Sequence, residues 1–416
     1  MPRPNASPFL YALIAVAVLA ALYASGVLFL PKLIVFVLIV GVAAMARKTS
    51  GFLDDWLVFL SFVYLTDSLR GLIYVLTCRL GLPVHVLYAL RWERALFGEA
   101  PSVALQNALL RSPDGLSFTW LEKVLTLFHG SHFVVFLVLG FALWLRKSRY
   151  FGPFKTSFAW LMGVGITGFL AFPTAPPWMA SELFGFLPRL VHFNVALYNL
   201  SAPGLNTSFN TNPVAAMPSL HAAVPILCSL ILWRAARWRS LPFHLYTALV
   251  LFTIVYTGDH YIVDILGGAL LALLSYVLGF SIVRRQAARR LSGGQTPHPD
   301  EHPAPRPSRS KRLALGGAFL VLSVVIALYC GRQFERNLEA YNYRSAPRFT
   351  DFLDDETAYA GNYGVQLYFG NHALSGGDAA RALPYFEKAL ELARTFTDKK
   401  IADMKIRQCR SRIGLR

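Results

Sequence analysis

Two short stretches carry the residues of this chain best suited to chemistry: Met217-Pro218-Ser219-Leu220-His221 and Tyr256-Thr257-Gly258-Asp259-His260-Tyr261-Ile262-Val263-Asp264. Each opens a long apolar run, so each puts a histidine where a membrane helix begins. His260 and Asp264 are one helical turn apart, which places them on one face. A carboxylate there holds the far ring N–H, fixes the tautomer and leaves the other nitrogen as a nucleophile. Pro218 suits the first turn of a helix, and the Ser219 hydroxyl suits its cap. Two helix starts opening on one side of a bilayer make an anion site, because loose N–H groups and dipoles point at it. Phosphoryl transfer needs a nucleophile, an acid for the leaving oxygen and positive dipoles for the equatorial oxygens. His260 with Asp264 offers the first, His221 the second, and the two helix starts the third. The plainer alternative has both imidazoles bonded to loop carbonyls; their matching depth and the Pro-Ser context favour chemistry.

The elements that must position these residues are membrane helices. The chain has 416 residues, of which 55% are hydrophobic and 15% charged, against about 25% charged in soluble domains. Mean hydropathy is +0.45, and runs of about 17–24 apolar residues recur, long enough to span hydrocarbon. The expected fold class is all-α: a polytopic membrane bundle of about nine spans, with a small helical extramembrane domain at the C-terminal end. A net charge of +17 raises nucleic acid as a partner, but the cations sit in short clusters beside apolar runs. That is cytoplasmic anchoring, and nucleic acid is not expected. Cys78, Cys228, Cys330 and Cys409 share no metal spacing. No carboxylate cluster with ligand spacing appears, so neither metal nor cofactor is expected.

In chain order, residues 1–50 read as a membrane hairpin (9–25 and 28–46), with a single bent helix as the alternative, retained as an anchor. Residues 51–283 read as the catalytic membrane domain. Its first span, 55–77, is interrupted by Asp67-Ser68-Leu69-Arg70-Gly71. Charges at that depth are costly, so Asp67 and Arg70 either pair with each other or Arg70 reaches a lipid phosphate. Residues 78–130 read as short amphipathic helices in the interface, with spans at 131–145 and 154–172. His132 reads as a satisfied polar group at a helix start. After Pro176-Pro177-Trp178, a long outer loop to Ala216 has the length of a lid or binding element. The catalytic helices are 218–233, 242–257 and 261–283. Residues 284–312 are a basic, Pro-rich cytoplasmic linker, 313–331 a last span, and 332–416 a soluble helical domain that the span count puts on the non-cytoplasmic side. Within the latter, Gly370, Ala382, Phe386 and Ala389 resemble one tetratricopeptide hairpin, with a plain helical hairpin as the close alternative. Such a unit cannot bury its own face, so it must pack on neighbouring helices or on a protein partner. Arg47-Lys48, Arg146-Lys147-Arg149, Arg234-Arg237-Arg239 and Arg284 onward all fall on one side of this topology. By the positive-inside rule both histidines then face the non-cytoplasmic side, as in a bacterial inner membrane protein.

At these residues the chain resembles the type 2 phosphatidic acid phosphatase superfamily. Pro218-Ser219-Leu220-His221 is similar to its second signature, which usually has Gly where Leu220 stands, and His260 with Asp264 is similar to its third. Met217 to Ala222, His260 to Asp264 and Ala175-Pro176-Pro177-Trp178 resemble most the inositol phosphorylceramide synthase branch. The resemblance covers roughly residues 50–283. It implies that His260 is a phosphohistidine nucleophile, Asp264 its partner, and His221 the acid and then the base. Departures bear on the substrate. Pro176-Pro177-Trp178 stands where the first signature carries Arg-Pro, and Thr253-Ile254 where a Ser-Arg pair precedes the third. Fewer guanidiniums suit a singly charged phosphodiester better than a doubly charged monoester. The expected function is therefore transfer of a phospho-headgroup, such as phosphoinositol, from a membrane phospholipid to a lipid hydroxyl. Arg70, Ser219, Pro176, Trp178 and Tyr261 are the expected substrate-binding residues, although Tyr261 and Trp178 also suit an interfacial aromatic belt. Lys155 falls on the wrong side. The alternatives are a lipid or polyprenyl phosphate phosphatase, and a non-catalytic scaffold recruiting a partner through 332–416.

Overall fold

Helices account for nearly all of the regular structure. The computed structural model describes residues 49–110, 118–193, 197, 212–292, 308–341, 348–349 and 358–414. The hairpin expected at 9–25 and 28–46 lies outside them, as do residues 293–307 of the Pro-rich linker. In order, the described elements are α1 (Thr49–Leu80), β1 (Pro83–Val84), α2 (Leu87–Phe97), α3 (Pro101–Leu109), α4 (Trp120–Leu145), α5 (Phe151–Ala171) and α6 (Pro177–Glu182). There follow α7 (Leu220–Ala236), α8 (Leu241–Tyr256), α9 (Ile262–Ser292), α10 (Arg309–Tyr341), β2 (Arg348–Phe349), α11 (Tyr363–Ser375), α12 (Ala379–Leu392) and α13 (Phe396–Arg412).

Among the described residues, six stretches are long and apolar enough to cross a membrane: Asp54–Leu80, Trp120–Leu145, Phe151–Ala171, Leu220–Tyr256, Ile262–Arg289 and Ser310–Cys330. About nine were expected along the whole chain. Two of those lie outside the described residues, and the two at 218–233 and 242–257 fall within Leu220–Tyr256, broken by a 3-10 turn at Arg237–Ser240. The outer faces fit hydrocarbon: Leu266, Leu270, Leu273 and Val277 of α9 and Val321, Val325 and Leu328 of α10 are exposed.

Several boundaries differ from expectation. Helix α9 runs past 283 to Ser292 and α10 extends on both sides of 313–331, from Arg309 to Tyr341, so both take in ends of the expected linker. Two other differences have a local cause. The span expected to begin at 131 starts at Trp120, because Thr119 and Glu122 form a capping box. The Glu122 carboxylate accepts from the Thr119 backbone N–H at 2.7 Å, and Leu121 N donates to the Thr119 hydroxyl at 3.3 Å. Pro218 does not enter the first turn of α7; the helix begins at Leu220, with Ser219 as its cap.

The core is aromatic. Trp56, Phe59, Phe136, Phe154 and Phe158 are buried where α1, α4 and α5 meet α7, and Phe136 stacks on Phe158 with centroids 4.4 Å apart. Helix α10 lies along α1, tied at one end by Arg312 to Asp54 (3.1 Å) and at the other by the Arg79 guanidinium over Tyr329 (5.5 Å). A second core joins α2, α6 and the following loop to Phe349, Val365, Tyr368 and Phe369 from the C-terminal part. There β1 and β2 pair in parallel, Pro83 with Arg348 and Val84 with Phe349. Helices α11 and α12 form a hairpin closed at Gly376–Asp378, with Phe386 packed on Gly370, and α13 covers α12.

Candidate active site

The starts of α7 and α9 are stitched together by backbone. Ser219 N donates to Asp264 O at 3.1 Å, while the Ser219 hydroxyl accepts from Ala222 N at 3.2 Å. The hydroxyl is thus spent as a helix cap, and the residue is fully buried. Such close contact needs Gly268, since a Cβ there would stand 2.4 Å from Ser219 O. On the other flank, Thr174 bridges both 85 and 215, and its hydroxyl accepts from Met217 N at 2.8 Å. The extended run into α7 is thereby fixed.

His221 Nδ1 and His260 Nε2 consequently face each other at 2.9 Å. Behind His260, Asp264 Oδ2 stands 3.6 Å from Nδ1 in a fully buried position. That distance is longer than a hydrogen bond but within reach of a direct carboxylate–imidazole contact. The carboxylate is held independently: Oδ2 accepts from Tyr261 N at 2.9 Å, and Oδ1 accepts from the Tyr88 hydroxyl. Burial and Asp264 raise the Tyr88 phenol well above its ordinary range, which keeps it protonated as a donor. Glu93 closes the start of α9 by accepting from Ile262 N at 2.6 Å. Burial lifts the Glu93 carboxyl to about 7; the Ile262 hydrogen bond opposes that shift and Asp264 adds to it.

The imidazoles open on a cavity of about 140 Å³. Its polar wall holds Asp67, Arg70, His129, His192, Asn212 and Asp259, and its apolar wall includes Phe136, Phe158, Met162 and Val224. Of the expected residues, Arg70, Pro176 and Trp178 line it. Tyr261 does not; its ring is fully buried in the core shared with α2 and α6. Lys155 is at the opposite end of its span, donating to Asp55 O at 2.9 Å. Thr253 and Ile254 are buried and bring no cation. Among the described lining residues Arg70 is the one guanidinium or ammonium, and residues 194–211 contain neither Lys nor Arg.

Several groups escaped the sequence reading. His132 bonds to the carbonyl of His129, as a satisfied helix histidine should, yet its ring lies 4.2 Å from His221. His129 stacks on His221 at 5.1 Å. Asp259 bonds His192 Nε2 at 2.6 Å, lies 3.2 Å from His129 Nε2 and accepts from Thr257 at 2.5 Å. Burial alone would raise its carboxyl, but His192 and His129 pull it well below the usual range. His192 in turn stacks on Trp178 at 5.3 Å. The i,i+3 spacing of His129 and His132, and the position of Asp259 beside His260, were the available signals. For Tyr88 and Glu93, far away in sequence, there was none.

Comparison with known proteins agrees with this geometry. Residues 89–278 match the family model of the PAP2 superfamily. A phosphoinositol dihydroceramide synthase from Bacteroides thetaiotaomicron is 28% identical over 210 residues, covering 47% of this chain and 67% of that protein. No solved structure matches the chain. The family segment runs from α2 into α9, includes His221, His260 and Asp264, and ends before α10.

Proposed function

We propose that this chain, a member of the PAP2 superfamily and an integral membrane enzyme of the phosphotransferase or phosphatase kind, moves a phospho-headgroup between lipids by double displacement. The observation that carries the reading is the facing pair His221 Nδ1 and His260 Nε2 at 2.9 Å, with Asp264 behind. With Asp264 beside Nδ1, the proton sits there and Nε2 keeps its lone pair. The phosphorus of a phospholipid enters where the two nitrogens now meet. His260 Nε2 forms the N–P bond, the P–O bond to diacylglycerol breaks, and His221 supplies the proton to that oxygen. An acceptor lipid hydroxyl then gives its proton back to His221, forms a new P–O bond and breaks the N–P bond. The start of α7, with Leu220 and His221 at the cavity, faces the equatorial oxygens. General acid–base assistance of this sort contributes on the order of 10²–10⁴ in rate.

Arg70, the one guanidinium or ammonium among the described lining residues, supports a diester, and the named relative supports phosphoinositol as the group moved and a ceramide-type hydroxyl as acceptor. The Arg clusters at 234–239 and 284–290 end the helices opposite the histidines. The site is accordingly proposed to open on the non-cytoplasmic face of an inner membrane. Purified protein is to be given headgroup-labelled phosphatidylinositol with ceramide, and separately labelled phosphatidic acid or a polyprenyl pyrophosphate. Label moving to ceramide is the expected outcome. Release of inorganic phosphate from the monoesters alone identifies a phosphatase instead.

A further inference from the structure

The family segment stops before α10, yet the C-terminal part is packed against the helix and loop that stand behind the cavity wall. Asn362 Nδ2 donates to Phe184 O at 2.6 Å, and the N-terminus of α11 is so close that a Cβ on Gly364 would stand 2.0 Å from Leu183 O. Phe184 sits edge-on to Phe349 at 4.9 Å, and Phe349 N donates to the Tyr368 hydroxyl at 3.1 Å. Leu183 and Phe184 follow directly on α6, whose Trp178 lines the cavity and stacks on His192. Ser181 of α6 fixes the return of the loop, donating to Pro188 O at 2.8 Å and accepting from Leu190 N at 2.9 Å. Trp178 N is anchored at Gly258 O (3.0 Å), two residues before His260. Contact is therefore continuous from α11, through a short rigid helix, to the Trp178–His192 wall.

We propose that the C-terminal helices belong to the catalytic unit. By clamping α6 they hold Trp178 and His192 against the headgroup, which makes Gly364 and Asn362 positioning residues. The proposal rests on the reading that this cavity takes the donor headgroup. It replaces the picture of a separable module that serves only to recruit a partner.

The test uses the full chain in detergent with two variants. Gly364→Ala adds one methyl against Leu183 O but favours the helix itself. Asn362→Asp keeps the oxygen that caps α11 at Val365 N and loses the donor to Phe184 O. Both are expected to raise KM for phosphatidylinositol about tenfold with kcat within about threefold of wild type, as for a displaced binding wall. Both variants disturb a packed contact, so their thermal unfolding midpoints should fall, and the kinetic constants are therefore referred to the folded fraction. Unchanged KM in both variants overturns the proposal, as does a loss of kcat that only follows the folded fraction. Should wild-type protein ignore phosphatidylinositol, it is the headgroup assignment that fails. The same variants are then compared on phosphatidic acid, where an equal rise in KM is still expected and its absence counts against the clamp.

Discussion

At His260 the carboxylate of Asp264 stands 3.6 Å from Nδ1, while Tyr88 and Tyr261 hold its two oxygens. Tyr88 acts through Asp264 rather than on substrate. Removing its hydroxyl in Tyr88→Phe deletes a hydrogen bond to a buried charge, about 1.5–3 kcal/mol. If that bond orients Asp264 in the transition state, kcat falls by about 10–100-fold with KM little changed. Steady-state kinetics in detergent check this, and an unaltered kcat would reduce Tyr88 to packing. His221, His260, Asp264 and the Ser219 cap were legible because their spacing is local: one helical turn, or a cap and its helix. Tyr88, Glu93, His192 and Asp259's partnerships were not, because they depend on α2 and the outer loop folding back over residues far away in sequence.

Element boundaries followed local chemistry where it was read. The capping box at Thr119 and Glu122 is local chemistry, and it starts α4 well before the apolar run at 131–145. No periodicity indicated that α2 would dock on the start of α9, where Glu93 accepts from Ile262 N. That contact has a pH signature. The Glu93 carboxyl rises from 4.5 to about 7 in the folded chain, so the folded state keeps a proton that the unfolded state has lost. This group's contribution to stability is thus fully present below about 4.5, falls as pH rises through about 7, and is flat above. Glu93→Gln removes the titration. The difference in thermal midpoint between variant and wild type is expected to shift in favour of the variant from pH 5 to pH 8. A pH-independent difference would refute the assignment.

At the scale of the whole molecule, the all-helical class and the membrane character were readable from apolar runs and charge clusters alone. The folding of the C-terminal helices onto the Pro177–Leu187 region was not, since neither Asn362 nor Gly364 carries a pattern that points to Phe184 or Leu183. The topology makes a sidedness prediction. Arg237 lies in the turn between α7 and α8, at the end away from His221, and Arg381 lies on the surface of α12. In a chain whose cysteines are replaced by serine, Arg381→Cys should react with an impermeant maleimide in intact spheroplasts and Arg237→Cys should not. The reverse labelling would put the site on the cytoplasmic face.

The central claim is that His260 carries the phosphoryl group between donor and acceptor. Rapid-quench labelling with phosphatidylinositol that is radioactive at phosphorus tests it most directly. The expected result is an acid-labile, base-stable adduct on the protein that maps to His260, forms before product and is missing in His260→Ala. Label passing to product with no adduct on the protein, or a His260→Ala variant that transfers at the wild-type rate, would contradict the account.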